Sequence, residues 1–256
     1  MRDHDFPPGT PVWTELFTTD PDAAADFYRQ LFGWEQTEAG EDFGGYRNFL
    51  LDGTTVAGCM RNSSAGGVPS VWFVYLATED AGRTVDRARA RGSHVEVEPH
   101  PVGDLGTMAV LSDAAGAMLG AWQPGTHRGI GALSEPCAPC WFELHTRDFD
   151  AAVDFYRDVF DWDVHLMPEA PGFRYATYGE DEGSRAGIYD ASADLPEGVP
   201  SHWQVYFEVT DIDAAAAHVT ALGGAVLDPP VDSPYGRMGS FADPTGAMFR
   251  LLQSEG

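Results

Sequence analysis

The chain has 256 residues, of which 43% are hydrophobic, so it is long enough for one or two globular domains with a buried core. Forty acidic residues outnumber fifteen arginines, no lysine is present, and the formal net charge of −25 disfavours nucleic-acid binding. We expect a cytoplasmic protein without a membrane segment, because the sequence contains no run of about 18 apolar residues and no secretory signal pattern.

The sequence consists of two similar halves. Residues 13–34 read WTELFTTDPDAAADFYRQLFGW, and residues 141–162 read WFELHTRDFDAAVDFYRDVFDW. Fourteen of these 22 positions are identical at a constant offset of 128 residues, which is half of the chain length. The duplication predicts two domains, residues 1–125 and residues 139–256, joined by a linker at 126–138 within a segment rich in glycine and proline.

Each half begins with a predicted strand and a predicted helix. Apolar and polar residues alternate over 12–18 and over 141–146, which predicts a strand in each half. Asp20 and Asp148 stand where the N-cap of a following helix belongs. The next apolar residues recur at helical spacing and predict a stripe that packs on a sheet. They are Ala24, Phe27 and Leu31 in the first half and Ala152, Phe155 and Val159 in the second.

The remaining segments complete four βαβββ modules, which gives an α+β fold class with two modules in each domain. Further strands begin near Trp34 and Trp162. The rest of the first module is predicted as strands at 46–51 and 56–60, with counterparts at 173–178 and 186–189. The second module is predicted as a strand at 71–76, a helix at 80–91 and strands at 94–97, 107–111 and 118–123. The counterpart of this module in the second half is predicted as a strand at 203–209, a helix at 212–222 and strands at 225–227, 237–241 and 248–253.

Three cysteines, Cys59, Cys137 and Cys140, are too few for a disulfide framework, and their odd number fits a reducing compartment. Cys137 and Cys140 have the C-x-x-C spacing of some redox and zinc sites. The sequence lacks a second ligand pair, and this pair lies between a linker and a strand instead of at the start of a helix. We therefore predict that the spacing has no redox or metal function.

The motifs quoted above resemble one protein superfamily. The pattern DxDAAxDFYRxxFxW after a strand, together with DPTGAMFRL near residue 250, is similar to the vicinal oxygen chelate superfamily. This superfamily includes glyoxalase I, extradiol dioxygenases and bleomycin-resistance proteins. The resemblance covers nearly the whole chain and implies two glyoxalase-like domains, in which paired modules curl their mixed sheets into a cup that holds a small-molecule ligand. It does not fix the activity, because one fold serves many functions.

Helices cover one face of each sheet, so strand alternation assigns the other face to the cup. In the first half the residues predicted on that face are Trp13, Glu15, Phe17, Phe73, Tyr75, Met118, Gly120 and Trp122. In the second half they are Trp141, Glu143, His145, His202, Gln204, Tyr206, Glu208, Met248, Arg250 and Leu252. Such a lining suits a flat, partly aromatic ligand, although several of these aromatic residues are equally typical of a protein core.

Metal-dependent relatives in this superfamily place His or Glu at one position on each of the first, fifth and eighth strands, because the ligands must converge on one cation. The corresponding residues here are Trp13, Phe73 and Gly120 in the first half and Trp141, Gln204 and Arg250 in the second. Indole and phenyl groups do not bind a metal, and a guanidinium repels one. We therefore expect no metal and no other cofactor. A shifted metal site is an open alternative, built from Glu143, His145, His202 and Glu208.

The second half carries the better acid–base candidates, because His145 and Arg250 stand where the first half has Phe17 and Gly120. Burial in an apolar cup is expected to raise the pKa of Glu143 into the range of a general acid or base. His145 is expected to share the proton, and Arg250 to stabilise an enolate or phenolate. We assign catalysis to Glu143, His145, Tyr206 and Arg250. We assign substrate binding to Trp13, Glu15, Phe17, Phe73, Tyr75, Trp122, Trp141, His202, Gln204 and Met248.

The leading hypothesis is a cofactor-independent lyase, isomerase or cyclase that dehydrates, isomerises or cyclises an aromatic, polyketide-type metabolite. Metal-free members of the superfamily that act in natural-product biosynthesis resemble this picture. One alternative is a drug-binding or self-resistance protein that sequesters such a metabolite without turnover. Others are a metal-dependent glyoxalase-like enzyme or oxygenase, and a scaffold or regulatory protein. Because the four modules already contain what related dimers assemble from two chains, both a monomer and a homodimer fit the sequence.

Overall fold

The computed structural model of the protein describes residues 6–37, 44–62, 69–168, 172–180 and 184–254. These residues form sixteen strands and four helices. In the first half they are β1 (Pro11–Thr18), α1 (Pro21–Phe32), β2 (Glu35–Gln36), β3 (Arg47–Leu51), β4 (Thr54–Arg61), β5 (Val71–Ala77), α2 (Ala81–Ala90), β6 (Val95–Val102), β7 (Gly106–Ser112) and β8 (Met118–Pro124). In the second half they are β9 (Pro139–Thr146), α3 (Phe149–Phe160), β10 (Val164–Leu166), β11 (Tyr175–Tyr178), β12 (Ala186–Asp190), β13 (His202–Glu208), α4 (Ile212–Ala221), β14 (Ala225–Ser233), β15 (Gly236–Ala242) and β16 (Met248–Gln253).

Each half forms one open, mixed sheet of eight strands. The strand order is β2-β3-β4-β1-β5-β8-β7-β6 in the first sheet and β10-β11-β12-β9-β13-β16-β15-β14 in the second. The two modules of each half meet where β1 pairs with β5 and where β9 pairs with β13, both antiparallel. This topology confirms the predicted α+β fold of four βαβββ modules. It also shows that modules pair within a half, and not across halves.

The first helix of each half begins and ends at the residues that the sequence indicates. Asp20 accepts a hydrogen bond from the backbone N–H of Ala23 at 3.3 Å, and Asp148 accepts one from Ala151 at 3.1 Å. These side chains satisfy N–H groups that have no partner inside the helix. Within the described ranges, no helix is both long and apolar enough to cross a membrane.

The edge strands β6 and β14 are longer than predicted. The sequence predicts short strands at 94–97 and 225–227, whereas β6 has 8 residues and β14 has 9. Both segments contain prolines, and proline lacks the N–H that a central strand needs. An edge strand tolerates proline, because one side of its backbone has no neighbour in the sheet.

The helix-covered faces of the two sheets pack against each other around an aromatic core. Tyr28 of α1 lies edge-on to Trp72 of its own sheet at 5.4 Å and to Phe249 of the other sheet at 5.8 Å between ring centroids. Phe207 of the second sheet likewise contacts Trp72 at 5.2 Å. The helix-free faces therefore lie on the outer sides of this core. We call the helix-free face of the first sheet, which carries Trp13, Glu15 and Phe17, cup 1, and that of the second sheet cup 2.

Two equivalent hydrogen-bond chains cross between the halves inside this core. Trp203 Nε1 donates to the Tyr156 hydroxyl at 3.1 Å, and that hydroxyl donates to Asp113 Oδ2 at 3.1 Å. In the equivalent chain, Trp72 Nε1 donates to the Tyr28 hydroxyl at 2.9 Å, and that hydroxyl donates to Asp243 Oδ2 at 3.2 Å. Because these groups are buried, each chain of hydrogen bonds links the position of one helix to a turn in the other half.

The linker segment packs on the first sheet. The backbone N–H of Ile130 donates to the carbonyl of Val12 at 2.9 Å, and that of Gly131 donates to Thr55 at 2.8 Å. The imidazole of His127 lies edge-on to Trp13 with ring centroids 4.4 Å apart. The predicted linker is thus a structural part of cup 1. The division into domains at residues 125 and 139 stays a prediction.

The buried tyrosine chain yields a stability prediction. Tyr156→Phe removes the donor to buried Asp113 and leaves Trp203 Nε1 without an acceptor. We expect the free energy of unfolding to fall by about 1–3 kcal/mol, measured by urea denaturation at neutral pH. Tyr235→Phe changes an exposed tyrosine and serves as the control, with an expected change within about 0.5 kcal/mol. Equal effects of the two substitutions would contradict the assigned role of the chain.

Candidate functional site

The centre of cup 2 is the carboxyl group of Glu143 in β9. Its Oε1 lies 2.7 Å from His145 Nε2 and accepts a hydrogen bond from the Tyr206 hydroxyl at 2.7 Å. Its Oε2 accepts a hydrogen bond from the Tyr175 hydroxyl at 2.7 Å. The side chains of His145 and Glu143 are only 7% and 12% exposed. The structure thus brings together three of the four predicted catalytic residues and adds Tyr175.

Strand register explains why these side chains meet. In β9, Glu143 and His145 are two residues apart and therefore point to the same face. Gln204 pairs with Glu143, and His202 pairs with His145, across the β9–β13 ladder. Glu143 also pairs with Gly187 of β12, where an added Cβ would lie 2.2 Å from the Tyr175 hydroxyl. Glycine at this position therefore lets the tyrosine cross β12 and reach the carboxylate.

The pKa of Glu143 is lowered, contrary to the expectation from burial alone. Burial is the largest influence and raises the pKa, because it disfavours the charged form. The hydrogen bond and charge of His145, the charge of Arg250 and the hydrogen bond from Tyr206 act in the opposite direction. Together they bring the pKa of Glu143 from 4.5 down to about 2. The expected raised pKa is wrong, and Glu143 is a carboxylate at neutral pH.

A second chain of hydrogen bonds positions Arg250 of β16. Arg250 Nε donates to Gln204 Oε1, and Gln204 Nε2 lies 3.1 Å from His202 Nε2. His202 Nδ1 lies 2.9 Å from the carbonyl of Pro200, which only accepts, so Nδ1 carries the proton and Nε2 is the acceptor for Gln204. The guanidinium carbon lies 5.4 Å from the centroid of the Tyr206 ring. The predicted residues His202, Gln204 and Arg250 therefore act as one connected group.

Aromatic rings form the remaining wall of cup 2. Trp141 Nε1 donates to the Tyr175 hydroxyl at 3.0 Å, and the Phe173 ring is stacked on Tyr175 at 5.6 Å. Tyr189 lies edge-on to His145 at 5.4 Å. Met248, predicted to bind substrate, begins β16 and is 45% exposed. The sequence prediction did not include Phe173, Tyr175 and Tyr189, because its site residues lie on only the first, fifth and eighth strands of each half.

A signal for these missed residues was present in the sequence. Alternation along the predicted strand at 173–178 places Phe173 and Tyr175 on one face, as it does for Glu143 and His145. Cup 1 has a corresponding tyrosine, Tyr46, whose hydroxyl lies over Gly58 as Tyr175 lies over Gly187. A tyrosine before a glycine-containing strand occurs in both halves, and this repeated feature points to the tyrosine that contacts the carboxylate.

Cup 1 holds the equivalent carboxyl group, Glu15, in different surroundings. Tyr75 donates a hydrogen bond to Glu15 Oε1, and Tyr46 also hydrogen-bonds this carboxyl group. Trp13 Nε1 donates to the Tyr46 hydroxyl at 2.9 Å, as Trp141 does to Tyr175. Phe17 and Gly120 occupy the positions of His145 and Arg250, and no histidine or arginine among the described residues acts on the pKa of Glu15. Burial therefore raises the pKa of Glu15, although both tyrosine hydrogen bonds act to lower it.

The other predicted binding residues of the first half line cup 1. Phe73 lies edge-on to Phe17 at 5.7 Å and to Tyr75 at 5.2 Å. Trp122 contacts the linker's His127 at 5.5 Å, and burial lowers the pKa of His127 to about 4. The predicted site residues thus fall into two separate cups. As far as the described residues show, cup 2 combines a carboxylate, a histidine and an arginine, and cup 1 does not.

The residues of both cups do not fit a metal ion. The positions that bind metal in metal-dependent relatives hold no oxygen, sulfur or imidazole set, and Arg250 places a positive charge in cup 2. Across the part of the chain that the structure describes, no three His, Cys, Asp or Glu residues are grouped as metal ligands. The shifted site does not form either, since His202 bonds to Gln204 and Glu208 Oε1 accepts the N–H of Ser254.

The family is decided by a match to the sequence profile of the Glyoxalase/Bleomycin resistance protein/Dioxygenase superfamily, which covers residues 10–120 and again residues 140–251. The chain belongs to this superfamily. The two matched ranges coincide with the two sheets, so each half is one superfamily domain. This finding confirms the resemblance that the repeated motif indicates.

Several known superfamily proteins resemble the whole chain. CFP32 of Mycobacterium tuberculosis, which carries the provisional name of glyoxylase, is 36% identical over 250 residues that span 96% of this chain and 95% of CFP32. The anthracycline biosynthesis protein DnrV of Streptomyces peucetius is 34% identical over 265 residues, spanning 97% and 94% of the two chains. These alignments extend the family assignment over both halves.

Solved structures of the superfamily share the fold at low identity. The Mn(II)-bound glyoxalase from Novosphingobium aromaticivorans gives a TM-score of 0.65 at 18% identity, covering 96% of this chain and 82% of that chain. The 2,3-dioxygenase LapB from Pseudomonas sp. KL28 gives a TM-score of 0.68 at 12% identity, covering 98% of this chain and 94% of the LapB chain. At these identities the likeness concerns the fold alone.

The opposite surroundings of the two glutamates predict opposite titrations. Carbon-13 NMR of the side-chain carboxyls, assigned with Glu15→Gln and Glu143→Gln variants, is expected to show Glu143 titrating near pH 2 and Glu15 titrating above 4.5. In the unfolded chain the pKa of Glu143 is near 4.5. The ionised Glu143 therefore stabilises the fold fully at pH values above 4.5, and this contribution is lost as the pH falls towards 2. A higher midpoint for Glu143 than for Glu15 would contradict the account of both cups.

Proposed function

We propose that cup 2 is the active site of a metal-independent enzyme that transfers protons on an aromatic, polyketide-type metabolite. The observation that carries this proposal is the 2.7 Å contact between His145 and the ionised Glu143 inside an aromatic-lined cup. A histidine oriented by a carboxylate is a general base that enzymes use repeatedly. Cup 1 has the same scaffold with Phe17 at the position of His145 and serves as an internal comparison.

Glu143 is assigned an orienting role in this mechanism. A carboxylate only accepts hydrogen bonds, so it favours the tautomer of His145 in which Nε2 carries the proton. Nδ1 then carries the lone pair, and no described residue hydrogen-bonds to it. This atom is the base in the proposed reaction. The negative charge of Glu143 stabilises the imidazolium that forms when Nδ1 takes a proton.

The proposed reaction begins with proton removal from the carbon next to a substrate carbonyl. His145 takes this proton, and the electron pair moves to the carbonyl oxygen to form an enolate. Arg250 is the positive group in cup 2 that stabilises the developing charge. In a dehydration, the imidazolium returns the proton to a leaving hydroxyl group, which departs as water while a C=C bond forms. In an isomerisation, the proton returns to a different carbon.

The substrate class is supported by the relatives and by the lining of cup 2. DnrV and DauV, 34% and 33% identical to this chain, are named for anthracycline biosynthesis. Phe173, Tyr175, Tyr189 and Trp141 present ring surfaces near Glu143 and His145. Flat polycyclic ligands gain most from such surfaces, because ring contacts bury large apolar areas. The monomeric or dimeric state stays a prediction.

His145→Gln tests the proposed base. Glutamine still donates a hydrogen bond to Glu143 but cannot take a proton, so we expect turnover to fall by about 100-fold or more while ligand affinity changes little. The measurement is mass-spectrometric turnover, with deuterium incorporation from D₂O, over a panel of polycyclic β-hydroxyketones. His94→Gln changes an exposed histidine outside the cups and is the control.

Two outcomes would contradict the proposed enzyme. Turnover that is unchanged in His145→Gln would show that the base lies elsewhere. Tight binding of a panel member by the wild-type protein, without turnover or deuterium incorporation of any member, would favour the alternative of a sequestering protein. In that case Trp141 and Tyr206 substitutions, and not His145→Gln, would dominate the affinity.

A further inference from the structure

The guanidinium of Arg250 is half-buried in cup 2 without a carboxylate partner. Its partners among the described residues are neutral: Nε donates to Gln204 Oε1, and the guanidinium also hydrogen-bonds the Tyr206 hydroxyl. Within the described residues, no carboxylate lies at ion-pairing distance from its Nη groups. Most other half-buried arginines of this acidic chain do have such partners, as in the contacts of Arg47 with Asp22 and of Arg87 with Asp161.

The carboxylate of Glu143 lies nearby but is not an ion-pair partner of Arg250 among the described contacts. Glu143 already accepts hydrogen bonds from Tyr206 and Tyr175 and contacts His145, so both of its oxygens are engaged. Arg250 influences Glu143 only through its charge, which helps to lower the pKa of the carboxyl group. The positive charge of Arg250 is therefore available to a ligand.

Arg250 is also held in one orientation before any ligand binds. The Pro200 carbonyl fixes the tautomer of His202, His202 fixes the amide of Gln204, and Gln204 fixes Nε of Arg250. The Tyr206 ring supports the guanidinium from one side. A fixed planar guanidinium whose described partners are all neutral matches a negatively charged oxygen group, which it binds more strongly than a neutral one.

We infer that the ligand of cup 2 binds as an oxyanion, either an aromatic carboxylate or an ionised phenol, with its negative oxygen on Arg250. This inference rests on the proposed function and narrows its substrate class: the charge is present in the bound ligand before any proton transfer. Cup 1 has Gly120 at the equivalent position and offers no such partner. Gln204 is a positioning residue in this scheme.

The test compares two matched pairs of ligands on the full-length protein. Anthraquinone-2-carboxylate is compared with its neutral carboxamide, and 2-hydroxyanthraquinone with 2-methoxyanthraquinone, by calorimetry at neutral pH and low salt. We expect the carboxylate to bind about tenfold or more tightly than the carboxamide. For the phenol, the visible spectrum of the bound hydroxyquinone is expected to change to the ionised form at a lower pH than in solution.

Three variants locate the effect. Arg250→Gln is expected to remove the preference and the spectral shift, and Gln204→Leu to reduce both, because Nε loses its acceptor. Arg157→Gln removes the same formal charge from an exposed position on α3 and is the control for a general electrostatic effect. Circular dichroism confirms that each variant is folded.

A preference in either pair that disappears in Arg250→Gln supports the inference, and the pair that shows it identifies the source of the oxyanion. Equal binding within both pairs, or a preference that survives Arg250→Gln, overturns the inference while leaving an aromatic ligand of cup 2 in place. Failure of all four compounds to bind overturns the inference together with the proposed ligand class.

Discussion

The contact between Glu143 and His145 is the interaction on which the account of this protein depends. Both cups bury a glutamate at the same place on the first strand, and both surround it with two tyrosines and a tryptophan. In cup 1 the uncompensated cost of burial raises the pKa of Glu15, whereas in cup 2 the charges of His145 and Arg250 outweigh that cost and lower the pKa of Glu143. The same scaffold therefore holds a carboxyl group with a raised pKa in one cup and a fixed negative charge in the other. Only the fixed charge can orient a histidine and stabilise it when it takes a proton.

The duplicated fold explains how this difference arises without disturbing the architecture. The helix-covered faces of both sheets pack together, and the tyrosine chains through Tyr28 and Tyr156 tie each helix to the opposite half. Some of the changes between the two halves fall on the helix-free faces, while the strand order of the two sheets is the same. His145 in place of Phe17 and Arg250 in place of Gly120 are two such changes. The glutamate, the histidine and the arginine are thus combined in cup 2, while cup 1 keeps the shared scaffold and packs against the linker's His127.

The sequence predicted the fold well, because its signals are local and repeated. The offset of 128 residues, the aspartate N-caps and the strand alternation gave the module order and the correct face for Glu143, His145, Gln204 and Arg250. The site was predicted less completely, because it depends on contacts between strands that are far apart in sequence. Tyr175 reaches Glu143 from β11 across Gly187, and composition or periodicity within one strand contains no information on that approach. The pKa of Glu143 was predicted in the wrong direction for the same reason. The burial that raises this pKa can be inferred from one strand, whereas the interactions that lower it come from His145, Arg250 and Tyr206 on three different strands.

The tautomer of His145 tests this account most directly. Nitrogen-15 NMR of the imidazole, recorded at alkaline pH where histidines are neutral, distinguishes a protonated from an unprotonated ring nitrogen. If Glu143 orients the ring, Nε2 carries the proton and Nδ1 shows the shift of a free lone pair, and Glu143→Gln weakens this preference. A spectrum in which Nδ1 is protonated in the wild-type protein would contradict the central claim, because the proposed base would then have no lone pair with which to accept a proton.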